Sequence, residues 1–479
     1  MLQQTTQGAA PSTTRDFERV HFIGIGGAGM SGIALVLHQR GYSVSGSDLK
    51  QSRYTRPLVR DGLDVTIGHQ AATIDRVKPD VVVISSAIPE TNPELMRARE
   101  LGIDVWPRAK MLSYLSRGAI TIAVAGTHGK TTTSSLTATM LDKLGQSPTF
   151  LIGGIIDGYE VNGNNGDGPY FVAEADESDG SFLFLDPNYV IVTNIEADHL
   201  DHYGTLEAIE ETFCKLMASI PEDGALIVCG ENPHVPELAR SCGRRVVTYG
   251  FGPENDVVCA LEQDAPGENR FSVTLPDGQA YELHLDHNPG AHNALNATAV
   301  MALADVLGMD APACAEALSS FAGVHRRFET VGEQGGVRVI DDYGHHPTEI
   351  AATLRAARQL GREKIHVVFQ PHRYSRTQML AGQFGPAFAG VDEVIVMDVF
   401  SAGEMPIPGV SGRTIASEIE RANPGLAVSY IPNRRELVDH LLDSVHSGDV
   451  LMTMGAGDVT LIGPSYLEAL KQRLAGAHR

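Results

Sequence analysis

The segment at residues 125–133 restricts the possible folds of this chain more than any other stretch. It reads AGTHGKTTT and directly follows the apolar run at residues 120–124. A buried strand that ends at Gly126 and Gly129 lets the backbone turn tightly into a helix, and several N–H groups at the helix N-terminus then point into one concavity. The segment therefore predicts a strand, a loop and a helix that together bind the phosphates of a nucleoside triphosphate.

The side chains of this loop suit phosphate and a metal ion. Lys130 places a cation beside the phosphates, which contributes about 4 kcal/mol per close charge pair at an intermediate effective dielectric constant. A hydroxyl group of Thr131 or Thr132 can ligate Mg²⁺. The usual spacing of such loops, G-x-x-x-x-G-K-[ST], would put its first glycine at Val124. The loop is thus a variant of the usual pattern, and the alternative is a glycine-rich turn without a ligand.

A second glycine-rich motif lies upstream, at residues 20–30. Gly24, Gly26 and Gly29 have the G-x-G-x-x-G spacing, and Asp48 follows the next predicted strand. In such fingerprints the glycines admit a pyrophosphate at a helix N-terminus, and the acid binds a ribose hydroxyl. Two nucleotide motifs leave two interpretations open. One is a dehydrogenase that also uses ATP, and the other is an ATP-dependent enzyme whose second substrate carries a nucleoside diphosphate.

Length and charge predict a multidomain globular protein. At about 150 residues per domain, 479 residues indicate about three domains, each able to bury its own core. The net charge of −22 argues against a nucleic-acid partner held by the overall field of the protein. Anionic substrates must instead be bound by local arginines, lysines and metal.

Cysteine usage and apolar segments bear on location. The five cysteines are odd in number and never have C-x-x-C spacing, so the sequence indicates neither a disulfide framework nor a structural zinc site. Residues 1–16 lack the apolar core of a signal peptide, and no uncharged apolar run is long enough to span a membrane. We therefore expect a disordered tail at residues 1–16, no membrane insertion and a cytoplasmic protein.

Strand-like segments alternate with helix-like segments along most of the chain. The first strands are expected at residues 21–24, 43–47 and 80–85, and the first helices at residues 31–39, 56–61 and 93–101. This alternation is typical of doubly wound, parallel α/β sheets. A break at residues 116–119 and a new start near His325 predict domains at residues 17–118, 119–324 and 325–479.

Two further glycine-rich segments allow two interpretations each. Residues 153–169 read GGIIDGYEVNGNNGDGP, which predicts either a flexible loop that orders over a ligand or a surface hairpin without a role. The turn from Gly455 to Gly457 could be another phosphate loop, but its sequence favours a simple strand-to-helix turn.

Acidic residues follow the predicted strand that begins at Tyr170. The four carboxylates are Glu174, Asp176, Glu177 and Asp179. So many acids would repel one another without a cation, and beside a phosphate loop the natural cation is Mg²⁺. The alternative is a solvated acidic turn, although Glu174 lies within the apolar strand itself. His199 follows the next strand and is expected at the same edge of the sheet.

Eight motifs occur in one order along the chain: GIGGAGMSG, GTHGKTTT, EADESDGSF, NIEADHLDHY, GAHNALNA, HRRFE, DDYGHHPTE and FQPHRYSRT. Together they resemble the Mur ligase family, from Phe17 onward. The resemblance implies three α/β domains: a Rossmann-like N-terminal domain for a UDP-sugar, a central P-loop-type ATPase domain with a mostly parallel sheet, and a Rossmann-like C-terminal domain.

Within that family the motifs are most similar to the ligases that join L-alanine to UDP-N-acetylmuramate. The resemblance implies ATP as co-substrate, Mg²⁺, an acyl-phosphate intermediate, and a role in bacterial peptidoglycan synthesis and hence in cell shape and division. It also implies a monomer or a weak homodimer. A sibling ligase that adds another amino acid or a peptide stays open, and so does a nucleotide-binding switch without enzymatic activity.

The resemblance also implies roles for individual residues. The expected ATP-binding residues are Gly126, Thr127, His128, Gly129, Lys130, Thr131, Thr132, His292, Asn293, Asn296, Arg327 and Asp342. The expected UDP-sugar contacts are Gly26, Gly27, Asp48, His69 and Ser86, and the expected Mg²⁺ ligands are Thr131, Glu174 and His199. The expected catalytic residues are Lys130, His345, His372 and Arg376. For the pair His345 and His346, the alternative is a helix-capping or packing role.

Overall fold

The computed structural model of the protein describes residues 16–178, 180–262 and 269–477. Nearly all of the predicted tail at residues 1–16 lies outside the described residues, as does Asp179 of the acidic cluster. The described chain forms three sheets flanked by helices, and the predicted α/β class is confirmed. We call each sheet with its helices a unit.

The first unit is a five-stranded parallel sheet in the order β3-β2-β1-β4-β5. Its elements are β1 (Arg19–Ile23), α1 (Ala28–Gln39), β2 (Ser43–Asp48), α2 (Thr55–Arg60), β3 (Asp64–Ile67), α3 (Ala71–Val77), β4 (Val81–Ile84), α4 (Pro93–Glu100), β5 (Asp104–Pro107) and α5 (Arg108–Ser116). The strand order reverses between β1 and β4. Ligands of open α/β sheets bind at such a switch point, beyond the carboxyl ends of the strands.

The second unit is a ten-stranded sheet in the order β15-β14-β13-β12-β11-β10-β6-β9-β7-β8, parallel from β13 to β7. Its first half contains β6 (Ile120–Ala125), α6 (Lys130–Lys143), β7 (Thr149–Leu151), β8 (Gly163–Asn164), β9 (Tyr170–Glu174), β10 (Tyr189–Val192), α7 (Leu200–Tyr203) and α8 (Leu206–Ser219). Its second half contains β11 (Ala225–Cys229), α9 (His234–Ser241), β12 (Val246–Gly250), β13 (Val257–Leu261), β14 (Arg270–Thr274), β15 (Ala280–His284), α10 (Ala291–Val306) and α11 (Ala311–Ser319).

The third unit is a six-stranded sheet in the order β16-β17-β21-β18-β19-β20, in which only the β16–β17 pair is antiparallel. Its elements are β16 (Glu329–Gln334), β17 (Val337–Asp342), α12 (Pro347–Arg358), β18 (Ile365–Phe369), α13 (Tyr374–Ala387), β19 (Glu393–Val396), α14 (Gly412–Ala422), β20 (Ala427–Tyr430), α15 (Arg434–Ser444), β21 (Val450–Met454) and α16 (Ile462–Ala477). No helix of the described residues is long and apolar enough to cross a membrane.

Strand β6 lies in the middle of the second sheet because it is apolar on both faces. Ile122 and Val124 point into one hydrophobic core, and Ala123 and Ala125 point into the other. A strand covered on both faces by helices needs such a continuous apolar run, since successive side chains alternate between the faces. The predicted strand before the phosphate loop is therefore present, and the core positions it centrally.

The segment at residues 153–169 is not a surface hairpin without a role, because part of it packs against the first unit. Strand β8 pairs with β7, and the buried Asn162 inserts against helix α1 of the first unit. Its Nδ2 donates hydrogen bonds to Ala28 O and to Ser31 Oγ. Because buried amide groups need partners, these bonds fix the second unit to the first.

The turn that follows β21 is structural. Gly455 has a φ of +135°, and a Cβ atom there would lie 2.6 Å from the carbonyl oxygen of Gln370. The Arg326 guanidinium donates hydrogen bonds to the carbonyl oxygens of Gly455 and Ala456. These bonds agree with the simple strand-to-helix turn favoured by the sequence.

A buried charge network joins three strands of the third unit. Nδ1 of His366 lies 2.7 Å from Glu393, and its Nε2 lies 3.1 Å from Asp449. His440 also contacts Glu393. Burial by itself lowers the pKa of His366, but the two carboxylates outweigh it and raise that pKa. Burial likewise raises the pKa of Glu393, but the two histidines outweigh it and lower that pKa to about 2.

We predict that His366→Ala destabilises the protein by about 3 kcal/mol at pH 6, because removing one partner leaves buried charge unpaired. A raised histidine pKa stabilises fully below its unfolded value of about 6.5, and a lowered glutamate pKa stabilises above about 4.5. The loss should therefore be largest between these values and shrink as the pH rises through the folded pKa of His366. Urea unfolding across pH, with the partly exposed His284→Ala as control, measures this. A loss that is independent of pH would contradict it.

Candidate functional site

The loop between β6 and α6 has a backbone that only glycine fits at two positions. Gly126 has a φ of +134°, and a Cβ atom there would collide with Thr193 Oγ1. Gly129 has a φ of +83° and begins α6, and a Cβ atom there would lie 2.8 Å from Asn296 Oδ1. The loop thus packs closely against Thr193, just after β10, and against α10, and it leads into the first turn of α6, where helix N–H groups lack intrahelical partners. This is the geometry that the sequence predicts for a phosphate-binding loop.

Lys130 is a buried cation within this loop. Its Nζ donates hydrogen bonds to the carbonyl oxygens of Gly126 and Thr127, at 2.6 and 3.1 Å, and contacts the Glu177 carboxylate at 2.8 Å. Burial by itself lowers the pKa of Lys130, but Glu177 and Asp176 outweigh it and raise that pKa. Lys130 therefore carries its charge at neutral pH, in a position fixed by backbone oxygens.

Two of the three predicted Mg²⁺ ligands are in direct contact. The Thr131 hydroxyl donates to Glu174 Oε1 at 3.0 Å, and the other carboxylate oxygen accepts from Gly153 N at 2.7 Å. Arg327 Nη2 lies 3.3 Å from the same hydroxyl. A hydroxyl group and a carboxylate are hard oxygen ligands, so these two residues fit Mg²⁺.

His199, the third predicted ligand, begins helix α7 with a left-handed backbone, φ +52°. Its Nε2 lies 3.7 Å from Asp198. Burial lowers the pKa of His199; Asp198 opposes this shift and Arg376 adds to it, with smaller contributions from Asp176 and Lys130. The imidazole is therefore neutral and near the acidic cluster, although its role as a metal ligand stays a prediction.

A cavity of about 180 Å³ lies beside the loop, between the second and third units. It is lined by eight residues that the resemblance assigns to ATP: His128, Gly129, Thr132, His292, Asn293, Asn296, Arg327 and Asp342. The other four predicted residues, Gly126, Thr127, Lys130 and Thr131, belong to the same loop. The structure thus brings the whole predicted set to one place.

Asp342 has its carboxylate already satisfied by protein groups. Its oxygens accept from Phe328 N at 2.9 Å and from Gly344 N at 2.8 Å, and burial raises its pKa. A carboxylate oxygen can accept more than one hydrogen bond, so a ribose hydroxyl is still compatible with this position. In the described structure, however, the side chain also holds together the start of β16 and the turn after β17.

The predicted catalytic residues of the third unit form one cluster. The rings of His345 and His372 are 5.2 Å apart, and Arg376 Nη1 lies 3.1 Å from His372 Nδ1. Burial lowers the pKa of His345 to about 4 and that of His372 to about 2. Both rings are therefore neutral at physiological pH, and the fixed positive charge of the cluster is that of Arg376.

Asp198 connects this cluster to the second unit, and sequence reasoning assigned it no role. Its carboxylate accepts from Arg376 Nη2 at 3.0 Å, and both side chains are largely buried. Asp198 follows β10 within NIEADHLDHY, so the available signal was an acid at the carboxyl end of a parallel strand. Its partner lies 178 positions away, which no local pattern reveals.

A cavity of about 270 Å³ lies at the switch point of the first sheet. Gly27 and Ser86, two of the predicted UDP-sugar contacts, line it together with Arg108, Glu174 and Asp176. It therefore connects the first unit to the acidic residues beside the phosphate loop. Arg108, whose Nη2 lies 3.6 Å from Asp176, places positive charge there and was missed by sequence reasoning.

The other predicted UDP-sugar contacts lie outside the lining of this cavity. Asp48 accepts a hydrogen bond from Gly26 N at 2.8 Å, which braces the glycine loop from within. His69 lies in a buried network, with Nδ1 at 2.9 Å from Ser47 Oγ and 3.2 Å from Glu94. His69 and Ser86 were both predicted from their positions in loops, yet only Ser86 lines the cavity. Position in a loop alone therefore does not predict which of these residues reaches the cavity.

His128 holds the second and third units together. Its Nδ1 lies 3.2 Å from Glu349 of α12, and its Nε2 lies 3.4 Å from Glu196. Thr348 donates to Glu196 at 3.0 Å. Burial by itself lowers the pKa of His128, but the two carboxylates outweigh it and raise that pKa to about 9. The neighbouring His346 caps α12, the structural alternative considered for the histidine pair.

Comparison with known proteins agrees with this arrangement. Three family models match consecutive parts of the chain: the Mur ligase family catalytic domain at residues 19–119, the Mur ligase middle domain at residues 124–304, and the Mur ligase glutamate ligase domain at residues 326–457. The UDP-N-acetylmuramate–L-alanine ligase of Nitratidesulfovibrio vulgaris strain DP4 is 46% identical over 449 residues, 94% of this chain and 98% of that protein.

Solved structures give the same picture. The UDP-N-acetylmuramate–alanine ligase MurC of Thermotoga maritima superposes with a TM-score of 0.81 at 33% identity, over 95% of this chain and 99% of that one. A murein peptide ligase of Psychrobacter arcticus 273-4 superposes with a TM-score of 0.72 at 25% identity, over 94% and 98% of the two chains. On these matches, which extend across all three units, this chain belongs to the Mur ligase family.

Proposed function

We propose that this protein joins L-alanine to the lactyl carboxylate of UDP-N-acetylmuramate, with ATP as the energy source, in bacterial peptidoglycan synthesis. The carboxylate attacks the γ-phosphorus of ATP, so that ADP leaves and an acyl phosphate forms. The amine of L-alanine then attacks the acyl carbon and gives up one proton, and the tetrahedral intermediate collapses with loss of phosphate. The products are UDP-N-acetylmuramoyl-L-alanine, ADP and phosphate.

The observation that carries the proposal is the position of Glu174. This carboxylate contacts Thr131 of the phosphate loop and lines the cavity at the switch point of the first unit. It also lines a further cavity of about 320 Å³ that contains Arg327 and Tyr343 of the third unit. One residue therefore lies where a triphosphate, a substrate held by the first unit and groups of the third unit would meet.

The phosphate loop would hold ATP through its backbone N–H groups and through Lys130. A fixed ammonium group in a water-poor site stabilises the negative charge that develops on the transferred phosphoryl group. Arg327 reaches the same region through its contact with Thr131. Mg²⁺, held by Thr131, Glu174 and His199, would neutralise phosphate charge there.

Each of the three units would bind a different substrate. In this proposal residues 17–118 bind the UDP-sugar, residues 119–324 bind ATP, and residues 325–479 bind the amino acid and close over both. Within the first of these, Gly26, Gly27, Asp48, His69 and Ser86 stay the proposed UDP-sugar contacts. Support comes from Gly27 and Ser86, which line the cavity that leads to Glu174.

His345, His372 and Arg376 would position the amino acid and the muramyl carboxylate. Arg376 offers a planar pair of N–H donors suited to a carboxylate. The two neutral imidazoles are hydrogen-bond partners rather than strong bases, because burial keeps their pKa values low. Such positioning in a closed site also excludes water, which would otherwise hydrolyse an acyl phosphate.

The principal alternative is a sibling ligase that adds another amino acid or a peptide. The relative at 46% identity is named for L-alanine, whereas the murein peptide ligase structure is at 25% identity, and this difference favours L-alanine. We further propose a monomer or a weak homodimer located in the bacterial cytoplasm, where both nucleotide substrates are available.

A product assay tests the proposed activity. We predict that purified protein releases ADP only when UDP-N-acetylmuramate, L-alanine and Mg²⁺ are all present, and that mass spectrometry detects one new amide per ADP. Serine, glycine and a tripeptide compete in parallel reactions. ADP release without an amide product, or preference for the tripeptide, would contradict the proposal.

A substitution in the phosphate loop separates binding from chemistry. We predict that Lys130→Ala lowers kcat by at least a hundredfold, because the transferred phosphoryl group loses its fixed cation. The affinity for UDP-N-acetylmuramate, measured by calorimetry, should change less than threefold since the two nucleotide sites are separate. Lys143→Ala, at the exposed end of the same helix, is the matched control. An equal loss of binding and turnover in Lys130→Ala would contradict this division.

A further inference from the structure

Three side chains lie close together between the second and third units. The proposed reaction does not use them as a group. They are His128 of the phosphate loop, Glu196 beyond β10, and His346 at the start of α12. One ligand atom from each lies within 4.8 Å of the other two. The two imidazole rings are 4.7 Å apart and inclined by 37°.

We propose that His128, Glu196 and His346 form a binding site for a transition-metal ion such as Zn²⁺, which clamps the third unit onto the second. Two imidazoles and one carboxylate are a ligand set that Zn²⁺ accepts, with water in the fourth position. Mg²⁺ prefers oxygen ligands and would not compete well for two nitrogens. The site is therefore distinct from the predicted Mg²⁺ ligands Thr131, Glu174 and His199.

The two ligand nitrogens are buried and poorly hydrogen-bonded. Nε2 of His346 has no hydrogen-bond partner among the described residues, Nε2 of His128 has only the 3.4 Å ion-pair contact with Glu196, and both atoms are shielded from solvent. Buried polar atoms normally have well-formed hydrogen bonds, so two nitrogens that lack them beside one carboxylate call for an explanation. A metal ion between them would supply the missing interaction for both.

The surroundings of His128 orient its ring for this task. Without metal, the raised pKa of His128 means that both ring nitrogens carry protons; Zn²⁺ would displace the proton from Nε2, while Nδ1 keeps its proton beside Glu349, 3.2 Å away. Metal-binding histidines commonly donate their second nitrogen to a carboxylate in this way. The contact from His128 Nε2 to Glu196 Oε2 spans 3.4 Å, close to the separation of about 3.3 Å expected between ligands of tetrahedral zinc.

His346 needs a small adjustment to bind metal. Its Nδ1 accepts a long hydrogen bond, 3.4 Å, from Thr348 N; metal binding at Nε2 moves the ring proton to Nδ1, so this bond is lost. Glu349 also accepts from His346 N at 3.2 Å, so the start of α12 remains braced. Burial and the neighbouring His128 lower the pKa of His346, which therefore stays neutral as a metal ligand must.

The position of the site predicts that a bound metal ion affects turnover. His128 and Glu196 belong to the second unit and line the cavity assigned to ATP, whereas His346 belongs to the third. A metal held by both units opposes their separation, and nucleotide exchange needs that separation. Micromolar Zn²⁺ should therefore slow turnover in excess Mg²⁺. This last step rests on the proposed function, whereas metal binding does not.

Equilibrium dialysis against Zn²⁺ in excess Mg²⁺, without substrates, tests the site directly. We expect the wild-type protein to bind one Zn²⁺ through this site. His346→Ser, which keeps a helix-capping hydroxyl, should weaken that binding at least tenfold, and Glu196→Gln should do the same. His234→Ser removes an exposed histidine of α9 and should leave zinc affinity unchanged. Co²⁺ substitution should give the absorption of a tetrahedral site in the wild type and lose it in His346→Ser.

The same variants can also contradict the proposed zinc site. Circular dichroism first establishes that each variant is folded, and two independent ligand variants keep the test valid if one is not. No zinc binding by the wild type would overturn the proposal. So would unchanged affinity in both His346→Ser and Glu196→Gln, or a loss confined to His199→Ser, which would place the ion at the predicted Mg²⁺ ligands.

Discussion

The whole site depends on the central place of β6 in a parallel sheet. Its neighbours β10 and β9 run in the same direction, so the carboxyl ends of all three strands meet at one edge. The phosphate loop follows β6, Glu174 ends β9, and Glu196 and Asp198 follow β10. This arrangement brings Lys130 of the loop, Glu174 and the interunit acids to the same edge of the sheet. The apolar run that places β6 in the centre of the sheet therefore also brings the residues of the site together.

Electrostatics then explains how a strongly acidic chain can bind anions. The net charge is −22, yet buried or half-buried cations face the site from each unit: Arg108, Lys130, Arg327 and Arg376. Several are paired with acids that end strands of the second unit. Each pair fixes a cation in place before substrate arrives, which reduces the reorganisation needed when a phosphate or carboxylate binds. The local charge, rather than the total, governs recognition.

Sequence reasoning succeeded where the signal is local. The strand, loop and helix at residues 120–143 follow from an apolar run, two glycines and the polar start of a helix, all within one window. Glu174 was singled out because an acid inside an apolar strand is unusual. The grouping of His345 with His372 and Arg376 came only from family resemblance, since the two separate segments that carry them share no period that would predict their contact.

The residues that sequence reasoning missed have partners that are distant in the sequence. Asp198 and Arg108 acquire their roles from Arg376 and Asp176, which lie in other units or far along the chain. Asn162 lies in a segment whose glycines and asparagines indicate backbone freedom. Its order instead comes from helix α1, more than 130 positions earlier.

The central claim is that the phosphate loop directs the γ-phosphate of ATP at a carboxylate held by the first unit. Isotope transfer tests this most directly, with UDP-N-acetylmuramate carrying ¹⁸O in both oxygens of its lactyl carboxylate. We predict that one labelled oxygen appears in the released phosphate at each turnover, while the other stays in the amide carbonyl. Amide formation with unlabelled phosphate would contradict the claim, because the carboxylate oxygen would then never have bonded to phosphorus.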